Sequence, residues 1–217
     1  MTANLSGPVL PPRSGQPPRQ IMALLHGYGS DGNDLIGLGQ HWGPLLPQML
    51  FVSPNAPNPC AGNPFGYEWF PLDVDRIAGR IEGAKQARPL VVDFLETLWA
   101  DTGLTATETF LVGFSQGAMM ALHVGTALEQ RLRGVIAFSG AFVPADGVLD
   151  GKFAKPPVAL IHGELDSVVD PNLSRQAAED LRAAGFEASL HISKGLAHGI
   201  SPDGLDFATG FILAQNG

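Results

Sequence analysis

Short apolar runs alternate with longer segments of helical spacing along most of the chain. Each short run is bounded by Gly, Pro, Ser or Asp, which predicts strands at Ile21–His26, Met49–Ser53, Thr109–Phe114, Val135–Ser139, Val158–His162 and Ala188–Ile192. Helices are predicted at Asp73–Ala100, Gln116–Gln130, Pro171–Ala184 and Gly204–Ala214, and Pro89 should kink or split the first of these. Strands that are apolar on both faces predict an α/β fold, with a mostly parallel sheet covered by helices on both sides.

One segment between these elements is too aromatic for a simple linker. Residues Ser53 to Pro71 are dense in Pro, Asn and Gly, yet they also contain Phe65, Tyr67, Trp69 and Phe70. Long loops of this kind often cover a functional site. We therefore expect this segment to lie over the site.

The composition indicates one domain with a large core. The chain has 217 residues, and at roughly 150 residues per domain this length corresponds to about 1.4 domains, so we predict a single domain over residues 1–217. Hydrophobic residues make up 45% of the chain and Asp, Glu, Lys and Arg 16%, against a usual charged share of about 25%. Residues 1–20 form a Pro-rich N-terminal segment, with prolines at positions 8, 11, 12, 17 and 18.

The net charge and the cysteine content limit which binding partners and which cellular compartment are expected. The net charge is −8 at pH 7, and no basic run could follow a phosphate backbone, so neither nucleic acid nor an anionic membrane is expected as a partner. Cys60 is the one cysteine, which excludes a disulfide within the chain and a zinc-ribbon cluster. Residues 1–20 do not resemble an export signal, and no apolar run reaches the ~18 residues of a membrane-spanning helix. These features predict a cytoplasmic protein without a transmembrane segment.

A Gly-x-Ser-x-Gly motif lies between a predicted strand and a predicted helix. Its residues are Gly113-Phe114-Ser115-Gln116-Gly117. In this context the serine occupies a sharp turn, and the small residues two positions before and after it allow the backbone to pack closely. The alternative is a glycine-rich turn whose serine only caps the helix. The strand before the motif and the apolar helix after it favour Ser115 as a nucleophile.

A nucleophilic serine needs a histidine base, and that histidine needs a carboxylate to orient it. Of the six histidines, His198 lies in a loop after the last predicted strand, where the chain order Ser, Asp, His requires the base. His26 and His162 each end a strand, and the others lie in a loop, a helix or a strand. A solvated loop histidine is the alternative interpretation of His198.

The orienting acid is expected shortly after the strand that ends at His162. Asp170 precedes Pro171, a pattern typical of a helix N-cap, which leaves Asp166 and Glu164. We favour Asp166, because it lies far enough past the strand to turn toward His198, and we expect Glu164 to be a solvated turn residue. A metal site at His162, Glu164 and Asp166 is a weaker alternative, since no strand runs through all three positions.

The glycine loop after the first long strand allows two interpretations. Gly27-Tyr-Gly-Ser-Asp-Gly32 matches Gly-x-Gly-x-x-Gly, but the acidic residue that a dinucleotide site needs about 20 residues later is missing. The segment Asn33–Gly39 is also a poor helix opening because of its glycines. In a hydrolase the same loop supplies a backbone amide, here that of Tyr28, which joins the amide of Gln116 as an oxyanion hole. We favour the oxyanion hole.

Together, four segments resemble the phospholipase/carboxylesterase branch of the α/β-hydrolases, which includes the acyl-protein thioesterases. These segments are Leu25–Asp34, Gly113–Gly117, His162–Asp166 and Gly195–His198, in the order of the family. The resemblance implies a single-domain α/β-hydrolase without a large cap domain. It also implies Ser115 as nucleophile, Asp166 and His198 as its partners, and the amides of Tyr28 and Gln116 as the oxyanion hole.

The resemblance also suggests a substrate-binding region. The stretch from Tyr67 to Asp73 is similar to a Trp-Phe stretch near the acyl pocket of the family, and Val168 matches an apolar position just after the acid. Trp69, Phe70, Phe142 and Val168 are thus expected to bind the acyl group. The alignment around Phe142 is ambiguous, and the Pro-rich start is longer than in the family.

The expected function is hydrolysis of carboxylic esters with short to medium acyl groups, including lysophospholipids or thioesters, without a cofactor or a metal ion. Two alternatives remain open: a catalytically silent ligand-binding relative, and an amidase or peptidase on the same fold. The expected partner is a small-molecule or lipid ester. An exposed apolar mouth could also support a homodimer.

Overall fold

The structure, a computed structural model, describes residues 5–72 and 78–216. In these residues the strands are β1 (Val9–Leu10), β2 (Gln20–Leu25), β3 (Met49–Val52), β4 (Asn58–Cys60), β5 (Asn63–Glu68), β6 (Thr109–Phe114), β7 (Gly134–Phe138), β8 (Val158–Gly163) and β9 (Ala188–Ser193). The helices are α1 (Gly32–Trp42), α2 (Ala78–Thr102), α3 (Gln116–Gly125), α4 (Asn172–Ala183) and α5 (Pro202–Ala214), and a short 3₁₀ turn covers Ala106–Glu108. Within the described ranges, no helix combines the length and apolarity needed to cross a bilayer.

A central sheet organises the described part of the chain. Its strand order is β1-β3-β2-β6-β7-β8-β9, and every neighbouring pair is parallel except β1 with β3. In the register, Leu25 pairs with Gly113, and Phe114 pairs with Phe138. The carboxyl ends of the central strands therefore lie level at one edge, which is where open α/β sheets bind ligands.

Apolar side chains pack on both faces of this sheet. On one face, alternate β2 residues such as Ala23 and Leu25 join the buried sides of α2, α3 and α4. On the other face, Met22 and Leu24 pack with α1 and α5. The predicted α/β class, with a mostly parallel sheet and helices on both sides, is confirmed.

Helix α1 forms in the segment that was expected to be a poor helix opening because of its glycines. The Asp31 side chain accepts a hydrogen bond from the amide of Asn33 at 2.8 Å and caps the helix. Leu35 and Trp42 are buried in the core on this face of the sheet. Gly39 is also required there, because a Cβ at this position would lie 2.8 Å from the Phe51 ring. Tertiary packing thus outweighs the low helix propensity of glycine.

The predicted boundaries of the other helices also shift. The predicted start of the first helix at Asp73 lies outside the described residues, and α2 continues past Pro89 without a split. Helix α3 ends at Gly125, five residues earlier than predicted, where a Cβ would lie 2.6 Å from Val135. Helix α4 begins at Asn172 with Pro171 as its N-cap, one residue later than predicted, and the Asn172 amide donates to the Asp170 side chain at 2.9 Å.

The aromatic segment 53–71 is partly ordered as a hairpin of β4 and β5. Two backbone hydrogen bonds join it to the glycine loop, from Gly29 N to Tyr67 O at 2.9 Å and from Tyr67 N to Ser30 O at 2.7 Å. The hairpin therefore supports the loop that carries Tyr28.

Candidate active site

Ser115 lies on a strained turn between β6 and α3. Its backbone angles are φ 53° and ψ −115°, a region that residues with a side chain rarely adopt. The turn is held by the Ser115 amide, which donates to Phe138 O at 2.9 Å. A Cβ on Gly113 would collide with the carbonyl of Gly117, and one on Gly117 would collide with the carbonyl of Leu25. Both glycines of the motif are therefore required by close backbone packing.

Asp166 and His198 form a direct hydrogen bond. Nδ1 of His198 lies 2.7 Å from Oδ2 of Asp166, so His198 donates from Nδ1 and keeps Nε2 as its basic nitrogen. The other carboxylate oxygen of Asp166, Oδ1, accepts the amides of Val168 and Val169, each at 2.9 Å. The loop between β8 and α4 thus wraps around this carboxylate.

The environment of Asp166 favours its charged form. Burial of the side chain opposes ionisation, but the hydrogen bonds from the Val169 amide, the His198 ring and the Val168 amide outweigh it, and the pKa of Asp166 lies below its ordinary value. The carboxylate is therefore ionised near neutral pH and can stabilise a positively charged His198.

Ser115 and His198 line the same cavity, which has a volume of about 540 Å³. The ring of Phe114, next to the serine, lies 4.9 Å from the ring of His198, centroid to centroid. Within the described residues, no hydrogen bond joins Ser115 Oγ to His198. The structure thus brings the three side chains to one site and forms the Asp166–His198 hydrogen bond.

Two backbone amides in this cavity have no protein acceptor in the described ranges. Gln116 is the first residue of α3, so its amide has no partner within the helix. The amide of Tyr28 is also free, since the hydrogen bonds of its loop come from Gly29 and Ser30. Both residues line the cavity with Ser115. Two unused donors beside a serine are suited to bind a negatively charged oxygen.

The side chain of Gln116 fixes the segment that follows β5. Its Oε1 accepts the amide of Trp69 at 2.9 Å, and its Nε2 donates to the carbonyl of Phe70 at 2.7 Å. The indole Nε1 of Trp69 donates to His26 O at 2.9 Å. Sequence patterns do not reveal these contacts, because the residues are separated by more than 40 positions along the chain.

Of the four residues expected to bind the acyl group, Val168 lines the cavity and is 66% exposed. Trp69 and Phe70 are each 1% exposed and lie in the core, and Phe142 packs against that core. None of these three aromatic residues is in the described lining of the cavity, because Trp69 and Phe70 fill the core and Phe142 is half-buried against it, so their predicted contact with the acyl group is not supported by this cavity. The described lining is Tyr28, Pro71, Leu72, Arg80, Ser115, Gln116, Met119, Ser167, Val168, Val169 and His198.

Two histidines that were considered as possible bases, His26 and His162, hydrogen-bond to groups around the site. His26 is buried, its Nδ1 donates to Gly27 O at 2.8 Å, and its Nε2 accepts the Ala56 amide at 2.9 Å. His162 is buried with Nε2 2.9 Å from Val169 O and 3.1 Å from Oδ2 of Asp166. Burial lowers the pKa of both imidazoles despite their hydrogen bonds, so both are neutral near pH 7.

Glu164 also has a role that the sequence did not indicate. It was expected to be a solvated turn residue, and it is exposed, but its Oε2 accepts the amide of Gly195 at 3.0 Å. Gly195 has φ 68° and lies in the loop that carries His198. Glu164 therefore connects the loop of the acid with the loop of the base. Among the described residues, no three His, Cys, Asp or Glu side chains, including those of His162, Glu164 and Asp166, are grouped so that they could hold a metal ion.

Known proteins share the sequence pattern and the fold of this chain. Residues 12–216 match the family described as Phospholipase/Carboxylesterase. The chain is 33% identical to Esterase YpfH of Escherichia coli strain K12, over 89% of this chain and 82% of that protein. It is 29% identical to Acyl-protein thioesterase 1 of Saccharomyces cerevisiae, over 91% of this chain and 93% of that protein. The crystal structure of esterase PE8 is 52% identical, with a TM-score of 0.94 over 98% of this chain and 99% of that chain.

Proposed function

The chain belongs to the phospholipase/carboxylesterase family and is a carboxylic ester hydrolase, and on that premise we propose that it hydrolyses short-to-medium acyl esters through Ser115, His198 and Asp166. One observation carries the proposal. His198, which is hydrogen-bonded to Asp166, lines one cavity with a strained serine and with Tyr28 and Gln116, whose backbone amides have no protein acceptor in the described residues.

In the first half of the reaction, Ser115 Oγ attacks the carbonyl carbon of the ester while Nε2 of His198 takes the hydroxyl proton. The carbonyl oxygen becomes negatively charged and accepts hydrogen bonds from the amides of Tyr28 and Gln116. Each donor of this kind typically lowers the barrier by about 3 kcal/mol. The carbon–oxygen bond to the alcohol then breaks, and His198 returns its proton to the departing alkoxide.

In the second half, water replaces the alcohol. His198 Nε2 removes a proton from the water, whose oxygen attacks the acyl-enzyme carbonyl and forms an oxyanion at the same two amides. The bond to Ser115 Oγ breaks, the serine regains a proton from His198, and the carboxylic acid leaves. Asp166 stays ionised throughout and stabilises the imidazolium in both halves.

The cavity supports substrates of modest size. Its volume of about 540 Å³ has to hold the acyl group and the alcohol, and Met119, Val168 and Leu72 supply apolar lining. Several relatives are named acyl-protein thioesterases. The same serine chemistry would cleave a thioester, since a thiolate is a better leaving group than an alkoxide.

The decisive experiment compares Ser115→Ala with Ser167→Ala, since Ser167 lines the same cavity. We expect Ser115→Ala to lose at least about 10⁴-fold in kcat on p-nitrophenyl butyrate, because the nucleophile is removed. Ser167→Ala should stay within several-fold of the wild type. Equal unfolding midpoints for the three proteins will show that folding is unchanged.

Labelling by a fluorophosphonate separates the proposal from its two rivals. A serine hydrolase should be labelled stoichiometrically at Ser115, whereas a silent binding relative should stay unlabelled. A peptidase or amidase should be labelled but should cleave an anilide at least as well as the matching ester. Turnover retained in Ser115→Ala would refute the proposed nucleophile.

A further inference from the structure

The active-site cavity contains an arginine that the proposed chemistry does not use. Arg80, in the first turn of α2, lines the cavity together with Ser115 and His198. Among the described lining residues it is the one with a permanent charge, and none of them is acidic. The chain as a whole carries a net charge of −8. A cation at this position is therefore a local feature and does not follow from the overall composition.

The guanidinium of Arg80 also has a donor without a partner. Its Nε is buried and has no hydrogen-bond acceptor within the described ranges. Burial of an unsatisfied donor on a charged group costs stability unless a ligand or water completes it. Arg80 lines the same cavity as the nucleophile, so its guanidinium is well placed to bind part of the substrate.

Arg88, two turns later on the same helix, provides a useful contrast. The Nε of Arg88 is also buried without an acceptor in the described residues. However, its Nη2 donates to Ala127 O at 2.6 Å, which fixes its guanidinium against the end of α3. Arg88 does not line the cavity that contains Ser115. Its charge is used to hold two helices together, and this structural role has no counterpart at Arg80 in the described residues.

The chemistry of a guanidinium defines the group that would bind. It presents N–H donors in a planar fork that matches the two oxygens of a carboxylate or phosphate. A partly enclosed cavity strengthens such an ion pair, because less water screens it. Resting on the proposed ester hydrolysis, we propose that the substrate carries an anionic group, a carboxylate or a phosphate, that Arg80 binds while Ser115 attacks the ester carbonyl.

Matched substrate pairs test this proposal. For a carboxylate on the acyl side, p-nitrophenyl hydrogen glutarate is compared with its neutral methyl-capped twin. For a phosphate on the alcohol side, 4-(butyryloxy)phenyl phosphate is compared with phenyl butyrate. In at least one pair we expect the anionic member to have a kcat/KM roughly 10- to 100-fold higher, the range of a hydrogen bond to a charged group. The pair that shows the preference identifies the anion and the side of the ester that bears it.

Substitutions at Arg80 test whether this residue causes the preference for the anionic ester. Arg80→Gln should abolish the preference, so that kcat/KM falls much more for the anionic member than for the neutral one. Arg80→Lys should retain part of the preference, since the charge remains but the fork does not. Lys85→Gln is the control, because Lys85 is exposed on the same helix and pairs with Asp146 at 3.8 Å. It removes the same charge outside the cavity and should leave the preference intact.

The outcomes are distinguishable. Free glutarate or inorganic phosphate should inhibit the wild type competitively and Arg80→Gln much less. The proposal is overturned if the wild type prefers neither anionic ester, or if Arg80→Gln lowers kcat/KM equally for both members of a pair. If Arg80→Gln does not fold, Arg80→Lys decides the question. Failure of the proposed function looks different, since neither neutral nor anionic esters would be cleaved and Ser115 would not be labelled.

Discussion

A His-Gly dipeptide follows β2 and another ends β8, and the two histidines support opposite sides of the site by different means. In the described residues, the ring nitrogens of His26, after β2, hydrogen-bond only to backbone, with Gly27 O at 2.8 Å and the Ala56 amide at 2.9 Å. His162, in β8, contacts the Asp166 carboxylate at 3.1 Å as well as a backbone carbonyl. His26 shapes the loop that carries one proposed oxyanion donor, whereas His162 touches the proposed catalytic acid.

The difference shows that a buried neutral imidazole can either hydrogen-bond to backbone groups alone or also contact a charged carboxylate. A neutral histidine has one donor nitrogen and one acceptor nitrogen. In His26 the donor is Nδ1 and the acceptor is Nε2, as their partners require. In His162 the roles are reversed, so that the donor Nε2 lies toward Asp166. Substitutions at the two positions should therefore affect catalysis to different degrees.

The largest effect is expected from His162→Leu. The substitution removes the hydrogen bond from Nε2 to Val169 O and the 3.1 Å contact of Nε2 with the Asp166 carboxylate, so the carboxylate can move relative to His198. We expect kcat to fall about 100-fold, the cost of a small misplacement of a catalytic group. KM should change little, since His162 does not line the cavity. Steady-state kinetics on p-nitrophenyl butyrate and the rate of fluorophosphonate labelling both measure this loss.

His162→Gln provides the matched control, because its amide nitrogen can still donate toward Asp166. It should recover a substantial part of the rate lost in His162→Leu. If folded His162→Leu has wild-type kcat, or if the glutamine variant is no better than the leucine variant, His162 only fills space and the contrast with His26 fails.

A smaller effect on the rate is expected from His26→Leu. The Ala56 amide would lose its acceptor, and an unsatisfied buried amide costs about 1–3 kcal/mol of unfolding free energy. The loop that carries Tyr28 would move only indirectly, so kcat should fall about tenfold, less than the full value of one oxyanion donor. Urea unfolding and kinetics measure the two losses. A kcat loss larger than that of His162→Leu would reverse the comparison.

Lowering the pH should destabilise the fold, because His26 and His162 are both buried in the neutral form. Burial lowers the pKa of His26, His162 and also His123 in the folded protein. Below about pH 6.5 the unfolded chain binds protons that the folded protein does not, so their stabilising contribution is complete above pH 6.5 and is lost as the pH falls toward the lowered pKa values. Each histidine should contribute about 1.4 kcal/mol per pH unit in that window.

Urea unfolding of the wild type between pH 7.5 and 5 measures this slope. His26→Leu removes one of the three buried histidines, so the unfolding free energy should depend on pH less steeply, by the contribution of one histidine. A stability that is independent of pH across this window would show that the imidazoles are not held neutral, and the assignment of donor and acceptor nitrogens would then be wrong.

The sequence predicted the sheet and the order of its strands along the chain because hydrophobic alternation is a local property. It also indicated Ser115, because a strained turn needs small residues at fixed offsets from the serine. It could not indicate the Gln116 contacts with Trp69 and Phe70, which join residues 46 and 47 positions apart. Because such long-range contacts are not visible in the sequence, Trp69 and Phe70 were expected in the substrate cavity, although they lie in the core. Arg80 had no local signal, since its importance comes only from the cavity that it enters.

The smallest effect is expected from Ser174→Ala, which tests how firmly the His162 proton is held toward Asp166. Ser174 Oγ lies 2.7 Å from Nδ1 of His162 and 3.3 Å from Gly140 O. Without the hydroxyl, Nδ1 loses its donor, but a proton moved to Nδ1 would leave the Nε2 lone pair facing Asp166 and Val169 O. That repulsion keeps the proton on Nε2, so we expect kcat to fall less than about fivefold and the unfolding free energy by about 1 kcal/mol. A loss as large as that of His162→Leu would mean that the serine, and not the carboxylate, sets the tautomer.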